Sequence, residues 1–79
     1  MLYLTVSAYT LLVAVMTLRN PDFPNCIADD DEGCIFILPT GDKLYFTYDA
    51  EFFIPGNYGT TDITKQWLDK HAIPYEEKG

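Results

Sequence analysis

Seventy-nine residues bound this chain to one domain, 1–79, too short to bury more than about 60–65% of its unfolded surface. Hydrophobic residues at 48% and aromatics at 15% are many for that length, so either the core is dense in Phe and Tyr or part of that surface belongs to a partner. Twelve acidic residues against five basic ones, a net charge of −7, argue against direct nucleic-acid binding and against adhesion to anionic membranes, and suit docking on a basic surface.

Three readings compete for residues 1–18, which carry no side-chain charge. The even positions Leu2, Leu4, Val6, Ala8, Leu12, Ala14, Met16 and Leu18 are apolar, with Thr10 the exception, and this period of two predicts a long or bent strand. Ala8, Leu11, Leu12, Val15 and Leu18 also share one helical face, so a strand to Ala8 followed by a helix fits as well. The run reaches the lower length limit of a membrane span, but its threonines, Ser7, its two tyrosines and the lack of basic flanks apart from Arg19 oppose that. The strand is the expectation. It leaves large side chains on the odd positions, and Tyr9, Leu11, Val13 and Val15 then form a second apolar face suited to a homodimer interface.

Arg19–Pro24, with its Asn-Pro step, breaks any regular element. The acidic run Asp29, Asp30, Asp31 and Glu32 leads into Cys34–Tyr48, which reads as a β-hairpin turning at Pro39-Thr40-Gly41-Asp42. Folding the arms about that turn sets Ile35 opposite Phe46 and Ile37 opposite Leu44, a face that must be buried. Cys34, Phe36, Leu38, Lys43, Tyr45 and Thr47 then occupy the mixed opposite face.

Phe52, Phe53 and Ile54 precede Pro55 and a loop through Gly56–Gly59. Thr61–His71 predicts a helix, with Asp62 in its first turn and Lys70 and His71 in its last; Pro74 ends it near Ala72. Glu76–Gly79 reads as a frayed tail. The segment Trp67–Glu76, WLDKHAIPYE, resembles the helix-to-strand junction of glutaredoxin-like and arsenate-reductase-like proteins and of some small phage proteins. The Cys-x-x-Cys of thioredoxin-type proteins is absent, and nothing of those families' activity carries over.

The chemistry-bearing residues are sparse. The only serine, Ser7, sits in an apolar run and the only histidine, His71, at a helix end, so no nucleophile–base pair is evident and no enzyme is expected. Cys26 and Cys34 lie eight positions apart and, with His71, match no zinc-knuckle spacing. With no export signal near the start, they are expected as thiols in the cytoplasm, with a small redox protein as one alternative. The acidic run fails the calcium-loop template, and no phosphate loop follows Gly56 or Gly59. No metal or cofactor is expected.

Two features have the chemistry of recognition surfaces. Phe52, Phe53 and Tyr58 are aromatics beside a loop bounded by proline and glycine. The second is acidic: folding the hairpin gathers Asp29, Asp30, Asp31, Glu32, Asp49 and Glu51 at one end, with Asp42 at the other. The expected fold is α+β, a small antiparallel sheet of the N-terminal segment beside the 34–48 hairpin, with one C-terminal helix whose Ile63 and Trp67 cover the Ile35, Ile37, Leu44 and Phe46 face. The expected function is a non-enzymatic protein-binding module, a small acidic inhibitor or accessory protein of the kind phages and mobile elements encode, acting on a basic partner such as a nucleic-acid-processing protein. A single-span membrane protein is the alternative from another class.

Overall fold

Leu2–Leu4 form a short strand, β1, and the chain changes geometry at Thr5. The Thr5 hydroxyl accepts the Ala8 amide at 3.1 Å and its carbonyl accepts the Tyr9 amide at 2.9 Å, an N-cap that opens helix α1, Val6–Arg19. The long strand expected over residues 1–18 is therefore corrected to a strand of three residues and a helix of fourteen. Ala8, Leu12 and Met16 are buried at intervals of four, a spacing that satisfies a period of two as well as a helix. What separates the two is that Thr10 and Ala14, between them, are exposed, while odd-numbered Tyr9 and Val15 pack on the core.

The computed structural model describes residues 1–19, 28–29, 31–56 and 60–78, with only the backbone at 28, 29 and 60. Its strands β2 (Ala28–Asp29), β3 (Gly33–Ile37), β4 (Lys43–Thr47), β5 (Phe52–Ile54) and β6 (Glu76–Glu77) join β1 in one antiparallel sheet of order β2-β3-β4-β5-β1-β6. β5 thus lies between the hairpin and β1, which the sequence placed side by side. Both helices pack on one face of this sheet, and the chain is an α+β domain.

The hairpin register differs by one residue from that expected. Cys34 pairs with Phe46, Ile35 with Tyr45, Phe36 with Leu44 and Ile37 with Lys43. The reason is the loop. Leu38 and Asp42 close it, the Leu38 amide bonding to the Asp42 carbonyl at 2.8 Å and the Gly41 amide to the Leu38 carbonyl at 2.9 Å. Three residues lie between them, with Gly41 at φ 93°, the left-handed position that follows a type I turn in such loops. A one-residue slip turns the side chains of β3 over relative to those of β4. Phe36, Leu38, Leu44 and Phe46 therefore face the helices, with Leu2, Leu4, Phe52 and Ile54 beside them, and Ile35 and Ile37 face away. The loop from β4 to β5 repeats the pattern: Thr47 bonds to the Glu51 carbonyl, the Ala50 amide bonds to Thr47, and Ala50 holds φ 66°.

Gly33 opens β3 at a close approach of the two strands. A Cβ there would overlap the Phe46 carbonyl and lie 2.8 Å from the Thr47 Cα, so only glycine fits without moving the backbone of β4.

Helix α2, Thr60–Lys70, buries Thr64 and Leu68 against the sheet and packs Trp67 at the edge of the core, while Ile63 points outward. Ile63 is 55% exposed and Trp67 only half-buried, because the inward face is set by a polar lock. The Thr64 hydroxyl donates to the buried Asp42 carboxylate at 2.5 Å, so the Thr40 hydroxyl, 2.7 Å away, is left to donate to Thr64. That chain ties the hairpin loop to the helix.

The helix ends in a Schellman motif. Ala72 takes φ 57°, its amide bonds to the Asp69 carbonyl at 3.1 Å, the Ile73 amide bonds to the Leu68 carbonyl at 3.0 Å, and Leu68 and Ile73 are both buried. Beyond Pro74, the segment expected to fray pairs as β6 with β1, Glu76 opposite Tyr3 and Glu77 opposite Leu2. Lys65 of α2 reaches Glu77 at 2.8 Å, and this bond raises the lysine pKa and lowers that of the glutamate.

Truncating Leu12→Ala should cost about 3 kcal/mol, while Leu11→Ala, on the outer side of α1, should cost under about 0.5 kcal/mol. Denaturant midpoints compare the two, and equal losses would restore the strand. Ala72→Gly should stabilise the domain by about 1 kcal/mol, raising the melting temperature by roughly 4–8 °C, since the left-handed position then carries no Cβ.

Candidate functional site

The sheet face turned away from the helices carries a row of cross-strand partners: Ile35 opposite Tyr45, Tyr45 opposite Phe53, Phe53 opposite Tyr3, and Tyr3 opposite Glu76. The Tyr45 and Phe53 rings stack with centroids 5.3 Å apart and planes 7° from parallel, and the Tyr3 ring follows at 5.9 Å. The Lys78 ammonium stands 5.0 Å over the Tyr3 ring centroid, so the row already receives one cation. Ile35, Tyr45, Phe53 and Tyr3 are each half-buried by one another, and Ile37 is exposed beside them.

Two depressions lie at the end of the hairpin away from Asp42. One, of about 260 Å³, is lined by Ile35, Tyr45 and Phe53 together with Glu32, Gly33, Cys34, Phe46 and Thr47. The other, of about 320 Å³, is lined by Asp31, Glu32, Thr47, Tyr48, Asp49 and Glu51. Glu32 and Thr47 line both, so the two are neighbours. Tyr48 joins the strands beyond the ladder, its amide bonding to the Glu32 carbonyl at 2.9 Å, and the two three-residue loops hold the hairpin between them. Among the described residues no three His, Cys, Asp or Glu side chains converge closely enough to hold a metal ion.

The residues singled out from the sequence separate. Phe52 is 5% exposed in the core, stacked on Tyr9 at 4.3 Å and on Phe46 at 4.9 Å, whereas Phe53 lies on the open face; adjacent residues of a strand point opposite ways. Tyr58 and Asp30 lie outside the described residues, and Asp29 is described only as the backbone partner of Cys34. Asp31, Glu32, Asp49 and Glu51 line one depression, while Asp42, at the far end of the hairpin, is buried under α2 and not part of any acidic surface.

Tyr9, Leu11, Val13 and Val15 do not form one surface. On a helix successive odd positions turn through about 200°, so Tyr9 and Val15 join the core and Leu11 faces out. The outer side of α1 nonetheless stays uncharged through Ser7, Leu11, Ala14 and Leu18. No helix among the described residues is long and apolar enough to cross a membrane. Ile35 was expected on the buried face; a three-residue loop ending in Gly41 was the signal that would have turned it outward beside Tyr45.

The other chemistry-bearing side chains stay apart. The Cys34 sulfur lies 3.8 Å from the Tyr48 hydroxyl, and Cys26 is outside the described residues. His71 packs its ring on Trp67 at 4.7 Å beside Arg19, while Ser7 lies roughly 18 Å back along α1. Compared with known protein families, with curated proteins and with solved structures, the chain matches none.

Burial, then the charges of Arg19 and Lys70, lowers the His71 pKa from 6.5, and its buried Nε2 has no hydrogen-bond partner among the described residues. The unfolded chain therefore takes up a proton before the folded one, and the stability held above the ordinary histidine value is lost as the pH falls below it. Melting curves between about pH 7 and about pH 5 should fall more steeply for the native chain than for His71→Gln. Parallel curves would mean that His71 does not titrate against the fold.

Proposed function

We propose that the chain is a non-enzymatic protein-binding module that docks on a basic surface of a partner protein. The observation that supports this most directly is that an aromatic sheet face turned away from both helices lies beside an acidic depression, Glu32 and Thr47 lining both. Aromatic side chains anchor interfaces because a large, rigid apolar area is buried at small entropic cost, and the neighbouring carboxylates steer a cationic partner and fix its orientation. The residues lining the acidic depression include four carboxylates and no lysine or arginine. A nucleic-acid-processing protein, whose basic surface is built for phosphates, is the partner class this favours. Occupying that surface makes the module an inhibitor or accessory protein.

The test is affinity capture from the native host with the immobilised chain and with a triple variant, Asp31→Asn, Asp49→Asn and Glu51→Gln. The expected result is a basic protein held by the native chain at about 50 mM salt, released near 500 mM, and not held by the variant. The same proteins captured by both chains would refute the acidic docking end.

A further inference from the structure

We infer that the slot between Ile35, Tyr45 and Phe53 receives an arginine side chain from a basic, extended segment of the partner protein. This rests on the reading of the acidic depression as a docking end and names what enters beside it.

The slot has the two requirements of a guanidinium site. One wall is flat and aromatic: the Tyr45 and Phe53 rings stack on each other, and Ile35 lies directly across from Tyr45 on the other side, so a guanidinium would lie against the Tyr45 ring and not between the two rings. Its margin is anionic, because Glu32 lines the slot and the depression that also holds Asp31, Asp49 and Glu51. A guanidinium stacks flat on an aromatic ring while its edge bonds to carboxylates, and it is less strongly hydrated than an ammonium, so arginine gains more here than lysine.

The row shows the same preference within the chain, where the Lys78 ammonium stands over Tyr3, two rings along from Tyr45. That cation occupies the Tyr3 end and leaves the Tyr45 end, nearest the acidic depression, for a partner. Polarity along the face sets direction. Lys43, opposite Ile37, stands at the loop end of the hairpin, and the carboxylates stand at the other. A basic segment therefore enters from the acidic end and places its arginine at Tyr45, short of Lys43.

The experiment titrates the full chain with two blocked hexapeptides of equal charge, Gly-Arg-Gly-Arg-Gly-Arg and Gly-Lys-Gly-Lys-Gly-Lys, followed by NMR at low salt. The arginine peptide should bind roughly tenfold more tightly and shift the ring signals of Tyr45 and Phe53. Tyr45→Leu, which keeps the apolar cover, should bring the two affinities together, whereas Glu51→Gln should weaken both alike. Should Tyr45→Leu fail to fold, the ring shifts in the native chain still decide. Equal affinity for the two peptides, or shifts confined to the acidic loops, overturns the arginine slot and leaves the acidic docking end standing. Absence of binding by either peptide overturns both.

Discussion

The β3–β4 register decides which half of the hairpin is core and which is surface. It is set by a loop of three residues in which Gly41 adopts φ 93°. With that loop, Phe36, Leu44 and Phe46 meet the helices, and Ile35 and Tyr45 are turned away. A two-residue loop would have set Ile35 and Ile37 beside Leu44 and Phe46 and turned Phe36 outward beside Tyr45. Asp42 belongs to the same constraint. The register brings its carboxylate inward, where the hydroxyl of Thr64, itself bonded to Thr40, donates to it. Register, loop and helix position are thus one coupled solution.

The second consequence is one-sided cover. α1 and α2 both lie on the face of Leu2, Phe36, Leu44, Phe52 and Ile54, and among the described residues no helix packs on the other. That other face protects itself only in part, by stacking its own rings across three strands. The sheet edges are managed differently: β2 and β6 are two residues long, and β6 consists of two glutamates, which discourages edge-to-edge pairing. The face and its acidic margin, rather than the edges, are therefore the surface proposed for recognition.

Carboxylates have opposite roles at the two ends of the hairpin. At the loop end, a single buried Asp42 is locked by threonines and holds α2 to the sheet. At the far end, Asp31, Glu32, Asp49 and Glu51 crowd around one depression without a lysine among its lining residues, an arrangement that costs repulsion and contributes nothing to the core. The nearby loop also keeps Ala50 in a left-handed conformation that glycine would hold with less strain. Repulsion and strain at the same end set it apart from the rest of the domain.

The sequence by itself determined the features that depend on local chemistry. The α+β class, the turn at Pro39–Asp42, the helix ending before Pro74 and the separation of Asp42 from Asp31, Glu32, Asp49 and Glu51 follow from glycine and proline conformations, capping and the folding of one hairpin. The tertiary structure decided what local pattern left degenerate. Ala8, Leu12 and Met16 fit a strand or a helix equally, and only packing of Tyr9 on Phe52 and Phe46 settles which odd positions turn inward. The hairpin is apolar on both faces, so its alternation is equally satisfied by either register, and covering one side with two helices makes the choice. β6 is invisible locally because charged Glu76 and Glu77 form a strand only through pairing with β1 and the Lys65 bond to Glu77. Local preferences act over a few residues and can be read in order along the chain, whereas burial depends on which distant segments arrive on the same face, and that is fixed only when the whole chain has folded.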